Sequence, residues 1–172
     1  MKSSEEKVLR VFFDNPTERF HIREIARKTK LNPNTVLNIL GILVRANLLQ
    51  REKKLNVVEV FVTRTKKFIE LKRIDNIKRI YESGVLDFLK TEFSPESISV
   101  IGSYSRGEDI GDSDVDFVLI TKKDYKNLDL NKFEKELNKK IHLIVVDYNK
   151  ISEEFYINLI NGVILQGYLN KK

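Results

Sequence analysis

The sequence predicts an α+β protein with two parts, a mostly helical front half and a back half in which strands alternate with helices. In the front half, apolar residues recur at helical spacing up to residue 44, and a β-branched strand follows at 57–63. In the back half, helical segments separate three short apolar runs, at 98–101, 115–120 and 141–146. The middle run is apolar on both faces, which predicts a central strand in a sheet that is covered on both sides.

Composition and charge limit the classes of function. The 172 residues are 41% hydrophobic and 33% charged, and they include no cysteine, which excludes disulfides, thiolate nucleophiles and zinc–sulfur sites. No apolar run approaches the roughly 20 residues that a membrane helix needs, so we expect a soluble, cytoplasmic protein without a membrane partner. Residues 1–90 contain 20 Lys/Arg and 11 Asp/Glu, whereas residues 91–172 contain 11 and 14, which indicates two modules with different partners.

Three short helices are predicted before residue 48. The first contains the apolar residues of 8–13 and ends at Asp14-Asn15-Pro16, and the second covers 23–29. Asn32 and Pro33 open the third, as an N-cap followed by a proline at the first helical position. The side chains expected to face the core from this third helix recur at helical spacing: Val36, Leu37, Leu40, Leu43 and Val44.

A hairpin is predicted after the third helix. Leu48 and Leu49 begin one strand, residues 50–56 are polar and predict a turn, and residues 57–63 form the second strand. Three helices followed by a hairpin is an order typical of small DNA-binding domains.

The span from Phe20 to Thr63 resembles the winged helix-turn-helix family. The resemblance implies that the third helix enters the major groove of double-stranded DNA and that the hairpin, or wing, contacts the backbone or the minor groove. The residues that it implies against bases or phosphates are Arg23, Arg27, Lys28, Asn34, Thr35, Asn38, Arg45, Arg51, Lys53 and Lys54.

The third helix departs from that family at three positions. Leu37, Ile39 and Ile42 occupy positions that such families usually give to polar or basic residues. An apolar outer face favours packing against the second domain or a partner subunit, so a scaffold or dimerisation role is the alternative to DNA binding.

Residues 65–93 are predicted to form a helical linker between a domain at 1–64 and a domain at 94–172. Ser83-Gly84 breaks the linker into two helices. The linker carries an apolar stripe near a 3.5-residue spacing, formed by Phe68, Leu71, Ile74, Ile77, Tyr81, Val85 and Leu89. Such a stripe packs on a neighbouring domain or forms a homodimer seam.

Two aspartates and a Gly-Ser turn mark the candidate site of the back half. Asp114 and Asp116 lie one residue apart at the start of a strand, so their side chains point the same way. Neighbouring like charges repel unless a cation lies between them, and Mg²⁺ takes one or two protein carboxylates together with water and phosphate oxygens. The turn at Gly102-Ser103 offers backbone N–H groups and a hydroxyl, which suit a phosphate chain.

This pattern, from about residue 96 to 167, resembles the minimal nucleotidyltransferases of the DNA polymerase β superfamily. It consists of Gly102-Ser103, ten further residues and then Asp114-Val115-Asp116. The resemblance implies a mixed sheet with flanking helices, a catalytic pair of aspartates that holds Mg²⁺, and ATP as the nucleoside triphosphate. The residues that it implies at the nucleotide are Gly102, Ser103, Arg106 and Ser113.

The third carboxylate of that family is absent. In the run Lys140-Ile141-His142-Leu143-Ile144 the acid position holds His142, which joins the two aspartates as a predicted catalytic residue. A neutral imidazole can ligate a metal or accept a proton, although it favours softer metals than Mg²⁺. The alternative is that His142 only packs in the sheet.

Two functions follow from these patterns. The first is transfer of AMP from ATP to an acceptor hydroxyl; relatives in the minimal group are often antitoxin-like and adenylylate a tyrosine of a small helical HEPN-type partner protein. The second is a winged-helix transcription regulator whose degenerate nucleotidyltransferase domain only binds or senses nucleotide. An antitoxin that represses its own operon would do both.

Overall fold

The computed structural model of the protein describes residues 3–54, 57–124 and 127–169, without the side chain of Lys54. The chain divides into two compact units, Met1–Ile69 and Glu70–Lys172. Together they form a mixed α and β protein, as the sequence predicts. Within the described residues, no helix is both long enough and apolar enough to cross a membrane.

The first unit combines three helices with a small antiparallel sheet in the order β1-β3-β2. This arrangement is compatible with a helix-turn-helix module. Its elements in chain order are α1 (Ser4–Asp14), β1 (Arg19–His21), α2 (Ile22–Thr29), α3 (Pro33–Arg45), β2 (Leu49–Lys54) and β3 (Val57–Val62).

Local sequence signals begin the helices of this unit. Ser3 and Glu6 form a capping box at the start of α1, in which each side chain accepts the other's backbone N–H. Asn32 accepts the backbone N–H of Asn34 ahead of the proline that opens α3. The core lies between the helices and the sheet, where the rings of Phe12 and Phe20 meet edge to face at 5.5 Å.

Two expectations for this unit require correction. Ile39 is buried in the core, so the apolar outer face of α3 is limited to Leu37 and Ile42, and Leu37 is not a core residue because it is 39% exposed. Residues 50–54, which were expected to lie in a polar turn, belong instead to β2, because β2 pairs with β3 as far as the pair Lys54–Val57. Residues 55 and 56 of the expected turn lie outside the described part of the chain.

The second unit contains a sheet in the order β6-β5-β4-β7, in which β5 and β6 are parallel and the other pairs antiparallel. Helix α4 (Lys66–Ser83) begins in the first unit and continues into the second. The remaining elements are α5 (Val85–Phe93), β4 (Ser97–Ile101), α6 (Gly102–Arg106), β5 (Val115–Ile120), α7 (Asn131–Leu137), β6 (Ile141–Val146), a short 3-10 helix (Tyr148–Lys150), α8 (Glu153–Ile160) and β7 (Val163–Gly167).

Apolar side chains cover both faces of this sheet. On one face, Phe117 and Leu119 of β5 pack with residues of α5 and α7. On the other face, Val118 and Ile120 pack with Leu159 of α8. The central position of β5 therefore agrees with the apolar run that predicted it.

Most of the segment expected to be a linker, from Glu70 onward, lies in the second unit. Helix α5 supplies Val85 and Leu89 to the core of this unit, and the helix break at Ser83-Gly84 lies where the sequence indicates it. The predicted stripe on α4 is only partly buried, because Ile74 is 64% and Tyr81 56% exposed. Strand β7, which pairs with β4, has no counterpart among the predicted elements.

Candidate nucleotidyltransferase site

Strand pairing brings the second aspartate next to the histidine that replaces a third carboxylate. In the register of the sheet, Asp116 of β5 lies between Ile101 of β4 and His142 of β6. Directly paired residues of neighbouring strands share a face, so the two side chains project to the same side. Asp114 immediately precedes β5 and is exposed.

Asp116 and His142 form a hydrogen-bonded pair. The Nδ1 atom of His142 lies 2.9 Å from Oδ1 of Asp116, and the side chains are 61% and 32% exposed. An ionised carboxylate can only accept, so Nδ1 carries the proton in this hydrogen bond. In the neutral ring, Nε2 then keeps a lone pair that can accept a proton or bind a cation.

The backbone of the Gly-Ser turn lies directly against the carboxylate of Asp116. Gly102 has φ +73°, a conformation that favours glycine, and a Cβ atom on it would lie 2.7 Å from Oδ2 of Asp116. No side chain fits between the turn and the carboxylate. Ser103 follows in the first turn of α6, and the hydroxyl of Ser105 braces the turn by donating to the Gly102 carbonyl at 2.8 Å.

Two further residues that are predicted to bind the nucleotide form hydrogen bonds within the protein. Nε of Arg106 donates to Glu108 at 2.8 Å in an exposed ion pair. The hydroxyl of Ser113 accepts the backbone N–H of Ile110 at 2.9 Å, which closes a turn just before Asp114.

The loop from the Gly-Ser turn to the aspartates is held by buried charged residues that the sequence reasoning missed. Lys72 and Asn76 of α4, together with Lys139, converge on Asp109 in this loop, and all four residues are at most 7% exposed. Lys72 and Asn76 are four residues apart on a helix, the spacing of one face. In a sequence, this spacing of polar residues looks the same whether the helix face is buried or exposed to water.

A groove of about 510 Å³, lined mainly by polar and charged residues, lies beside Asp114, between this loop and α7. On its wall, Lys140 donates to Glu134 at 2.7 Å, and the backbone N–H of Ile141 donates to the other oxygen of the same carboxylate at 3.0 Å. The Lys140 hydrogen bond, followed by that of Ile141, holds the pKa of Glu134 below its ordinary value. The same contact raises the pKa of Lys140.

The predicted DNA-contacting residues of the first unit lie on three of its elements. All of those with described side chains are exposed, on α2, α3 and β2. Arg51 and Lys53 alternate along β2 with Glu52, which takes an ion pair from Arg19 at 2.6 Å. The side chain of Lys54 lies outside the described part of the chain.

The donor set suits a metal ion that needs few protein ligands. Among the described residues, no three or more His, Cys, Asp or Glu side chains are grouped to hold a metal ion. Zinc and the softer metals usually take three or four such ligands, whereas Mg²⁺ takes one or two carboxylates and completes its shell with water and phosphate oxygens. Asp114, which is exposed, and Asp116, whose side chain is 32% exposed, are carboxylates of the kind that the second case needs.

Comparison with known families supports the nucleotidyltransferase part of the resemblance. Residues 82–165 match the family described as the nucleotidyltransferase domain, and this span includes the Gly-Ser turn, both aspartates and His142. This part of the chain is nucleotidyltransferase-like. Such domains generally use a nucleoside triphosphate and a divalent metal ion. No curated protein matches the chain.

Two solved structures are similar to parts of the chain. A point mutant of ZitR from Lactococcus lactis is 18% identical, with a TM-score of 0.40, over 51% of this chain and 60% of its own. A protein titled "Possible transcriptional regulator" from Methanosarcina mazei Go1 is 20% identical, with a TM-score of 0.36, over 54% of this chain and 79% of its own. At these TM-scores neither likeness carries an argument about function.

Proposed function

We propose that the second unit is a Mg²⁺-dependent nucleotidyltransferase that moves AMP from ATP to a hydroxyl group. One observation carries this proposal: the glycine of the Gly-Ser turn touches the Asp116 carboxylate, whose other oxygen is paired with His142. The turn whose N–H groups can bind phosphate, a carboxylate that can bind a metal ion and an imidazole that can accept a proton are therefore adjacent. In-line phosphoryl transfer requires these three kinds of group close together.

In this proposal, Asp114 and Asp116 would hold the metal ion, which would supply positive charge beside the transferring phosphoryl group. The backbone N–H groups at Gly102 and Ser103 bind the β- and γ-phosphates. Arg106 is available for the same charge, because an exposed ion pair such as that with Glu108 is weak and is easily exchanged for a phosphate. The contact of Ser113 with Ile110 leaves its hydroxyl proton for a phosphate oxygen.

The reaction forms one bond and breaks one bond at the α-phosphorus atom. The acceptor oxygen attacks in line, a new oxygen–phosphorus bond forms, and the bond to the β-phosphate oxygen breaks with release of pyrophosphate. The acceptor loses its proton to Nε2 of His142, while Asp116 fixes the tautomer and stabilises the imidazolium that results. This route assigns the role of the missing carboxylate to an imidazole.

The acceptor that we propose is a hydroxyl of a HEPN-type partner protein, which would make the chain antitoxin-like. This step rests on the family resemblance alone. The first unit, in this proposal, is a winged helix-turn-helix domain that binds double-stranded DNA. The exposure of its predicted basic residues on α2 and β2 supports that assignment.

One observation favours a second candidate function. Because His142 replaces an acid, the site has two carboxylates where the family usually has three, and such a site suits nucleotide binding without turnover. In that case the chain is a transcription regulator whose DNA affinity changes when nucleotide binds.

Label transfer tests the first function. The protein is incubated with ATP labelled in its α-phosphate, Mg²⁺ and the protein encoded by the neighbouring gene. We expect a labelled acceptor, and we expect Asp114→Asn to lower the rate by at least about 100-fold, the scale on which the loss of one electrostatic contact slows a reaction. Asp124→Asn, an exposed carboxylate beyond the other end of β5, is the control. No transfer by well-folded protein would refute the enzyme.

A change at His142 separates the two candidates. If the site is an enzyme that an imidazole serves poorly, His142→Asp should increase transfer, whereas His142→Ala should lower it by about 10²–10⁴-fold, the usual contribution of a general base. Unchanged nucleotide binding with no transfer in all three proteins would favour the sensor.

Salt-dependent DNA binding tests the first unit. We expect binding to the upstream DNA of the gene to weaken steeply with salt, and Arg51→Ala to reduce the log–log slope by about 0.9, one phosphate contact. Lys132→Ala, an exposed lysine of α7, should leave the slope unchanged. Absence of binding at low salt would remove the DNA-binding assignment.

A further inference from the structure

Four buried side chains hold the loop that joins the Gly-Ser turn to the two aspartates. We call Lys72, Asn76, Asp109 and Lys139 the loop clamp. Nζ of Lys72 lies 2.6 Å from Oδ1 of Asp109, and Nδ2 of Asn76 donates to the same oxygen at 2.7 Å. Nζ of Lys139 lies 3.5 Å from Oδ2 of Asp109. Both oxygens of one buried carboxylate are thus engaged from outside the loop.

The clamp also binds the backbone on either side of Asp109. Asn76 donates to the carbonyl of Tyr104 in α6 at 2.9 Å, and Lys72 donates to the carbonyl of Asp109. Lys139 donates to the carbonyls of Ile110 and Gly111, the latter at 3.0 Å. These contacts extend from Tyr104, in the helix that follows the Gly-Ser turn, to Gly111, three residues before Asp114.

A clamp of this kind is not explained by stability alone. Burying charges costs free energy even when they are paired, and apolar side chains of similar size usually stabilise a core at least as well. Two ammonium groups on one carboxylate are a further cost. The loop clamp supplies directional hydrogen bonds to specific carbonyl oxygens, which an apolar core cannot supply.

We propose that Lys139 is a positioning residue, which holds the loop at Ile110 and Gly111 so that Asp114 stays in place to bind a divalent cation. The inference rests on the proposed function and goes beyond it. It states that a buried lysine outside the site determines the position of a metal ligand, Asp114. Residues that orient metal ligands typically change metal affinity by 10- to 100-fold when they are replaced.

Lys139 is the member of the clamp that can be removed without leaving a buried charge unpaired. In Lys139→Met, Asp109 keeps its close ion pair with Lys72 and its hydrogen bond from Asn76. The apolar stem of the lysine is largely retained by methionine, whereas both carbonyl contacts are lost. Lys132→Met, a change of the same chemistry on an exposed position of α7, is the matched control.

Two measurements on the full chain test the inference. Amide hydrogen exchange reports whether the N–H groups of residues 110–115 open faster in Lys139→Met, and electron paramagnetic resonance of free Mn²⁺ reports the affinity for that ion alone. We expect faster exchange in this loop, a roughly 10-fold weaker Mn²⁺ affinity, and an unfolding temperature close to that of Lys132→Met. Excess Mn²⁺ should restore label transfer, which it would not do for a general folding defect.

The outcomes separate this inference from the proposed function. If wild-type protein binds Mn²⁺ and Lys139→Met binds it equally well, or if exchange in the loop is unchanged, the positioning role is wrong and the proposed function stands. If wild-type protein binds no Mn²⁺, the proposed function fails and the inference fails with it. If Lys139→Met does not fold, Lys139→Gln is judged by the same criteria.

Discussion

Asp116 and Asp109 are two carboxylates of the second unit that each accept from a basic side chain, and they differ in burial. Asp116 meets His142 in a pair that water reaches, with 32% and 61% of the side chains exposed. Asp109 meets Lys72 in a pair of which only 1% of either side chain is exposed. The first pair is open to a ligand, whereas the second is saturated by the protein itself.

This difference indicates which of the two carboxylates can take part in chemistry and which one supports the fold. Removing one partner of a buried ion pair leaves a charge without solvent or counter-ion, and that is costly. Removing one partner of an exposed pair costs little, because water replaces the contact. A carboxylate whose loss costs little stability but much activity is available for function, and the two aspartates should differ in this way.

The largest expected effect is a contrast between two identical substitutions. Asp109→Asn should lower the free energy of unfolding by about 3–5 kcal/mol, because it leaves two buried ammonium groups without an anion. Asp116→Asn should change it by at most about 1 kcal/mol while abolishing label transfer. Urea unfolding of both variants measures the contrast, and similar stabilities would show that the clamp does not bury its charge.

The exposed pair of Asp116 and His142 could be predicted in part from the sequence, whereas the buried pair of Asp109 and Lys72 could not. Alternation along a strand predicts that Asp114 and Asp116 point to one side, and the structure places Asp116 on β5 with Asp114 just before it. The parallel register of β5 and β6 explains why a residue 26 positions later lies beside Asp116. The clamp depends on a helix meeting a loop 33 to 37 residues away. Neither periodicity nor spacing encodes such a contact, because polar residues at helical spacing usually face water.

The fold shows the same limit. Apolar runs predicted β4, β5 and β6, and the run of β5 is apolar on both faces because that strand lies in the interior of the sheet. Strand β7 was missed because its apolar run, Val163 to Leu165, is only three residues long, which is shorter than the runs that indicate a strand. Tyr81 was expected in an apolar stripe, but it is more than half exposed, and its hydroxyl donates to the carbonyl of Leu165 in that edge strand at 3.0 Å.

A second prediction tests whether the carboxylate of Asp116 must touch the turn. Gly102→Ala forces a Cβ atom to within 2.7 Å of Oδ2 unless Asp116 moves. A displacement of about 1 Å at a reacting centre lowers rates by roughly 100-fold, so we expect a loss of label transfer on that scale.

Gly84→Ala is the matched control for this substitution. Gly84 has φ +77°, close to the φ +73° of Gly102, but a Cβ atom there would meet nothing within 4 Å. Both variants should therefore lose about 1 kcal/mol of stability from the left-handed backbone, and only Gly102→Ala should lose activity. Equal activity in the two variants would mean that the turn and Asp116 do not work together.

The smallest expected effect concerns a third carboxylate, Glu134, which accepts hydrogen bonds from Lys140 and Ile141. Its side chain is 16% exposed, between the values for Asp109 and Asp116. Its pKa is lowered in the folded protein from an ordinary value of 4.5, so its ionised form stabilises the fold above that value, and this contribution is lost as the pH falls through the lowered pKa. Glu134→Gln should therefore lower the unfolding temperature slightly at pH 7, and the difference from wild type should shrink at pH values below 4.5. Thermal unfolding from pH 7 to pH 3 measures it. A difference that grows in acid would mean that the Lys140 contact does not favour the charged carboxylate.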